Sequence, residues 1–382
     1  MSPIFKRPKF VDVTSETQRL KELDHFWIQI SEIPICFRFS YLSDDESGEY
    51  IPAGDEKARF NEPILMIHGH GTSHTIFNWF ARELWYYGFR SLFALDTWEM
   101  DDLKQEADKL VEIVNYIKEV TNAHRISIVA YSTGGIISRY YTKFNHGDTQ
   151  VRILAMVGTP HDKVQYLQNL IESKMEKIQI QRELDYLEDI NSTITEKELY
   201  YLTNINVGGA LWARDLKSNE IRFVPLSDAI NITLGRTQLR VHKHKITFRA
   251  LRDFFIPKVA VFKIRLLAIT NTFAPIGFRI HYKGHVTQRY PQSGFIKIPS
   301  VKERQSYIPE VPIIIFSSFF SLEQNEDIIL TIFSFDDSGI LQKTTGKVDI
   351  SIDYTELPAV DYFTLYGTSN EQINIAVYTY IP

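Results

Sequence analysis

Val129-Ala130-Tyr131-Ser132-Thr133-Gly134-Gly135 sets a serine between small residues, after the apolar run Ile126–Ala130 and before a stretch with helical character. A serine held in a sharp strand-to-helix turn can act as a nucleophile, because the turn lifts its Oγ clear of a sheet. The usual form of such a turn is Gly-x-Ser-x-Gly, and here Ala130 stands at the first glycine. The residues two before and two after the serine come close together and must be small. Ala130 and Gly134 both meet that demand, alanine with one methyl group less slack. The alternative reading of Ser132 is a serine that caps a helix in a sheet protein without catalysis.

A second motif, Ile67-His68-Gly69-His70-Gly71, follows the apolar run Pro63–Ile67. Glycines let the backbone pass under a substrate with no side chain in the way. Placed beside the serine, such a loop would offer the backbone N–H of His70, and the residue after the nucleophile would offer that of Thr133. Two donors aimed at a developing oxyanion are worth several kcal/mol to a transition state. On this geometry His70 works through its backbone, not its imidazole. A metal reading of His68, His70 and His74 finds no matching cysteine or carboxylate cluster nearby, so neither a metal nor a cofactor is expected.

The elements that must position these residues follow from the hydrophobic pattern. Residues 25–41 alternate and predict one or two strands, and 42–61 are polar and turn-rich. Strands are then predicted at 63–67, 91–95, 125–130 and 151–157. Helices are predicted at 75–87, over Leu103 to Ile117, and at 134–144. Strand–helix alternation with apolar strands implies a parallel sheet covered on both faces. From Lys163 to about Asn206 the pattern is helical, with Val164, Leu167, Ile171, Met175 and Ile178 on one amphipathic helix. Leu199, Tyr200 and Leu202 begin or end another. Strands at 221–226 and 238–241 and a helix at 247–255 come next. From Val259 onward many short alternating runs, separated by turns such as Asp336–Gly339, predict an all-β sandwich or barrel. The expected organisation is a catalytic α/β domain over 1–257, carrying a helical cap or lid at 163–206, and an all-β domain over 258–382.

Composition bounds the function classes. The 382 residues are 44% hydrophobic and 23% charged, with a net charge of -5. That mild acidity argues against a dedicated nucleic-acid or anionic-membrane binder. Cys36 is the single cysteine, so no internal disulfide can form. No signal-peptide-like N-terminal stretch and no membrane-spanning apolar run is present, so a soluble cytoplasmic protein is expected.

Three blocks carry a resemblance: PILMIHGHGTSHTIFNWFARELWYYGF, RISIVAYSTGGIISRYYTKF and VRILAMVGTPHD. In order and spacing they resemble the oxyanion strand, the nucleophile elbow and the following strand of the lipase and esterase branch of the α/β-hydrolase superfamily. Some bacterial lipases similarly carry Ala before x-Ser-x-Gly. The resemblance is good over residues 60–160, loose over 161–257 and slight beyond. It implies an α/β-hydrolase fold and a serine carboxylic-ester hydrolase with the triad order Ser, acid, His. Carried onto this sequence, it implies Ser132 as nucleophile and Asp228 as acid, in a turn following the predicted 221–226 strand. Asp162 and Glu220 are the alternatives for the acid. The base is His244, since His244-Lys-Ile-Thr-Phe matches the family's His-x-x-Leu pattern better than His242 does, with His242 as the alternative. Three departures from the family stand out: Ala130 for Gly, Asp162-Lys163 after Gly-Thr-Pro-His, and a short segment between Asp228 and His244. The substrate implied is a small-molecule or lipid ester. The 163–206 segment would meet a lipid interface if it opens as a lid, and the β-domain could dock substrate, cover the site or mediate oligomers.

Overall fold

The computed structural model describes residues 27–39, 62–96, 102–163, 166–167, 170, 176–195, 198, 202–211, 223–237, 245–256, 259–270, 275–282, 286–291, 296, 306–321, 327–335, 341–351, 358–366 and 372–382. An eight-stranded sheet runs in the order β1-β2-β4-β3-β5-β6-β7-β8. Its strands are β1 Trp27–Gln29, β2 Cys36–Phe39, β3 Ile64–Ile67, β4 Leu92–Leu95, β5 Ile126–Tyr131, β6 Val151–Val157, β7 Thr203–Leu211 and β8 Ala229–Thr237. The first two pair antiparallel at the β4 edge, and β4 to β8 with β3 are all parallel. The mostly parallel sheet with helices on both faces is the α/β-hydrolase fold.

The apolar strands are buried on both faces, as their unbroken runs require. On one face pack α2 Leu103–Thr121, α3 Thr133–Phe144 and α4 Lys177–Ser192, around Leu65, Ile67, Ile128, Ala130, Leu154 and Met156. On the other pack α1 Asn78–Tyr87 and α5 Lys245–Phe255, around Met66, Val129, Ala155, Val207 and Ile230. Asp102 starts α2 by accepting from the backbone N–H groups of Lys104 and Gln105, an N-cap that also suits the positive end of the helix dipole.

The third quarter of the chain departs from expectation. Residues 203–206 belong to β7, next to the β8 edge of the sheet, not to a helical insertion. Residues 223–226, expected in a strand, are irregular, and the strand lies further on, as β8. The physical reason is visible in the burial. Asn204, Asn206 and Asn231 point into a buried polar layer on the α3 side, where a sheet strand ordinarily shows apolar residues. The single amphipathic helix expected through Ile178 is also interrupted: Glu176 is extended, at φ -69° and ψ 150°, and caps α4. Ile178 is 83% exposed on that helix, not part of a buried stripe. The expected strand 238–241, the loop 42–61, the turn 336–339, Val164, Ile171, Met175, Leu199 and Tyr200 lie outside the described residues.

Beyond α5 the chain forms a β-sandwich. One sheet runs β11-β10-β14-β15, and the other β12-β9-β17-β16 with β13 also on β9. The strands are β9 Val259–Thr270, β10 Ile276–Tyr282, β11 Val286–Tyr290, β12 Ser306–Tyr307, β13 Ile313–Ser321, β14 Asp327–Phe335, β15 Leu341–Ser351, β16 Ala359–Tyr366 and β17 Gln372–Tyr380. Phe278, Ile280 and Leu330 from the first sheet meet Ile264, Leu266 and Ile375 from the second in a common core. Among the described residues no helix is long and apolar enough to cross a membrane.

Candidate active site

Ser132 sits between the C-terminal end of β5 and the first turn of α3, with φ 53° and ψ -128°. Positive φ is rare for a residue with a Cβ, and this ψ lies outside the left-handed helical well that Asn122 and His146 occupy. The strain is held by flanking hydrogen bonds: the Ser132 N–H donates to the Val157 carbonyl at 3.0 Å, and its own carbonyl accepts from Gly135 N–H at 3.0 Å. Ala130 is fully buried in the sheet, so the methyl group at the first small position is accommodated.

The loop after β3 lies directly against this turn. A Cβ on Gly69 would fall 2.6 Å from Ser132 Cβ, and one on Gly134 would fall 2.6 Å from the His68 carbonyl oxygen. Both positions therefore need glycine for close approach. The His70 N–H donates to Thr133 Oγ1 at 2.9 Å, which brings the loop next to the residue after Ser132. Asp96, at the end of β4, braces the loop from the far side. Its Oδ1 accepts from the His74 N–H at 2.7 Å and lies 2.8 Å from His74 Nδ1 and 3.5 Å from His68 Nε2. Burial pushes the Asp96 carboxyl upward, but the hydrogen bonds from His68 and His74 outweigh it and hold the group well below the usual carboxylate range. No group of three His, Cys, Asp or Glu side chains that could hold a metal occurs among the described residues.

The expected acid Asp228 is not brought to Ser132. It immediately precedes β8, at the sheet edge where strands begin, whereas Ser132 follows the end of β5. Ala229 is level with Asn204, Leu154 and Ile128. At about 3.3 Å per residue the two side chains are roughly 16 Å apart along the strands, before the offset across the sheet is added. Asp228 instead balances two buried cations, Lys143 Nζ at 3.3 Å and Arg139 Nη2 at 3.9 Å. Burial raises its carboxyl, but the Lys143 ammonium and the Arg139 guanidinium prevail and hold it down at about 2. Asp228 therefore lies in an ion cluster with Lys143 and Arg139, and the structure does not bring it to Ser132 as the expected triad acid would require.

The same cluster includes Glu198, whose two oxygens each lie 3.0 Å from Lys143 Nζ. It also includes His161, with Nδ1 3.3 Å from Arg139 Nη1 and Nε2 3.2 Å from Asn206 Oδ1. Burial first, and then the Arg139 charge, keep His161 well below its ordinary value, so it is a neutral buried ring at neutral pH.

Asp162 lies beyond β6 at the same sheet edge as Ser132, and its carbonyl accepts from the Tyr166 N–H. Glu220, His242 and His244 lie outside the described residues. By chain order, 212–222 continue from the end of β7, and 238–244 join the end of β8 to α5. Parallel β7 and β8 both end at the serine's edge. Asp215 in the first of these stretches is an acidic residue that sequence reasoning missed. It is passed over in the sequence because the start of β7 lacks the apolar pattern of a buried strand.

The segment expected as a lid contains α4, which packs beside the sheet. Its Glu183 accepts from Leu103 N–H and from the Tyr166 hydroxyl, its Arg182 pairs with Asp102 at 3.2 Å, and its Asn191 accepts from Arg139. These contacts make α4 the crossover helix between β6 and β7, bound to α2 and α3.

A mostly parallel sheet, a strained serine at the end of its central strand and a glycine loop pressed against that serine define an α/β-hydrolase. The family model for lipases of class 2 matches residues 61–166, the segment that holds both motifs. The Bacillus licheniformis lipase BlEst2 in mature form is 14% identical, with a TM-score of 0.44, covering 55% of this chain and 96% of that one. The same lipase in its propeptide form is 10% identical, with a TM-score of 0.41, covering 85% of this chain and 98% of that one. The lin2722 product of Listeria innocua is 15% identical, with a TM-score of 0.36, covering 51% and 93%. No curated protein matches.

Proposed function

We propose that the protein is a serine carboxylic-ester hydrolase that cleaves apolar acyl esters through an acyl-enzyme on Ser132. The observation that carries this reading is the backbone of Ser132, at φ 53° and ψ -128° between β5 and α3, with Gly69 packed on its side chain. Strain at a non-glycine residue persists only where its surroundings over-determine it, and it concentrates at functional sites.

Ser132 Oγ attacks the ester carbonyl. A histidine takes the serine proton and passes one to the leaving alcohol, and water then releases the acid by the reverse route. His244 is the base, with His242 as the alternative, since both precede α5 in the stretch that continues from β8. The acid comes from Glu220 or Asp215, beyond β7, or from Asp162, beyond β6. The oxyanion is met by the backbone N–H groups of His70 and Thr133.

The test is labelling with a fluorophosphonate probe, joined to assays on p-nitrophenyl esters of increasing chain length. Covalent labelling at Ser132 is expected, together with loss of at least about 10³-fold in turnover in Ser132→Ala with the fold retained. Undiminished hydrolysis in that variant would exclude the mechanism. A wild-type protein that neither labels nor hydrolyses would be a binding protein on a hydrolase fold. Turnover of phospholipid, thioester, polyester or amide in preference to simple esters would move the leaving group to another class.

A further inference from the structure

We propose that the side-chain hydroxyl of Thr133 is a third donor to the oxyanion, beside the two backbone N–H groups. This rests on the ester-hydrolase reading above. The His70 N–H donates to Thr133 Oγ1 at 2.9 Å, so this hydroxyl touches one backbone donor and belongs to the residue that carries the other. Thr133 is 2% exposed, and His70 is the single partner of its hydroxyl among the described residues. A hydroxyl has one hydrogen to give and two lone pairs to offer. In the structure a lone pair accepts from His70, so the hydroxyl's own hydrogen is not used in that bond and is available to an oxygen arriving between loop and helix.

Thr133 is the first residue of α3, where the helix dipole adds positive potential for an anion, and its β-branch restricts χ1. Without substrate, the same hydroxyl keeps the His70 N–H paired and the loop in register with Ser132. No bond to Thr133 forms or breaks in the reaction. Its hydroxyl contributes a hydrogen bond that is strongest when the carbonyl oxygen carries full charge.

The experiment compares wild type, Thr133→Val and Thr133→Ser on phenyl butyrate and on the matching thionoester, whose sulfur is a weak acceptor. Thermal melting and fluorophosphonate labelling of Ser132 are recorded for each. The valine variant should lose roughly 100-fold in kcat on the oxygen ester, with KM changed less than about threefold. It should lose distinctly less on the thionoester, and the serine variant should recover most of the deficit. Labelled Thr133→Val protein with wild-type kcat, or with equal losses on both esters, would overturn the inference while leaving Ser132 as nucleophile. A wild-type protein that neither labels nor hydrolyses would overturn both.

Discussion

At the scale of the residue, Ser132 holds a backbone conformation that glycine adopts freely and serine does not. Such strain costs on the order of 1–3 kcal/mol. Ser132→Gly should therefore abolish turnover and at the same time raise stability by about 1 kcal/mol, measured by chemical denaturation. A destabilised glycine variant would show that the turn is not strained. The motif itself was legible: small residues at Ala130 and Gly134 around a serine, with an apolar run before and a helix after, describe a turn whose chemistry depends on local geometry. Asp228 was not legible, because a carboxylate in a turn looks the same in sequence whether it faces a histidine or two buried cations. Only its place relative to strand direction separates the two roles.

At the scale of elements, α3 is held at both ends. Its first residue meets the loop after β3, and Lys143 near its last turn is held between Glu198 and Asp228. Removing one partner of a buried ion cluster leaves an uncompensated charge, at about 3–5 kcal/mol. Asp228→Asn should lower the melting temperature sharply while folded protein keeps a kcat within about threefold of wild type, whereas neutralising a triad acid costs about 10⁴-fold. The pH dependence belongs to the same residue. Its carboxyl is depressed in the folded state to about 2, so its stabilisation is complete above the unfolded value, about 3.9, and is lost as pH falls from there. Melting curves between about pH 4 and pH 2 should be flatter in the asparagine variant than in wild type. These elements also mark where sequence reading stopped. Strands β3 to β6 announce themselves by apolar runs. β7 and β8 carry Asn204, Asn206 and Asn231 toward the helices, so the apolar pattern that defines a buried strand is absent from them.

At the scale of the whole molecule, the sandwich joins the parallel sheet at the edge where strands begin. Lys263 of β9 is fully buried and donates to the backbone carbonyls of Glu198 and Leu202, the latter at 2.7 Å. Tyr380 Oη lies 3.0 Å from Thr203 Oγ1 at the start of β7, and Arg152 near the start of β6 bonds the Pro382 carbonyl. Phe319 of β13 packs edge-on against Phe254 of α5, with ring centroids 4.8 Å apart. Val259, Val261 and Tyr380 share a core with Ile153 and Val207. Lys263→Met should leave the Glu198 carbonyl without this donor and the Leu202 carbonyl with only the Tyr380 hydroxyl at 3.4 Å, at about 1–3 kcal/mol for an unsatisfied buried group. Both halves of the molecule should then lose structure together in one calorimetric transition at a lower temperature. Separate transitions, with the sandwich unaffected, would contradict this coupling.

Because the β-sheets of the sandwich meet the hydrolase sheet at the end away from Ser132, chemistry and anchorage face in opposite directions. Molecules tethered to a bead or an electrode through the sandwich would hold the Ser132 edge of the parallel sheet away from the support.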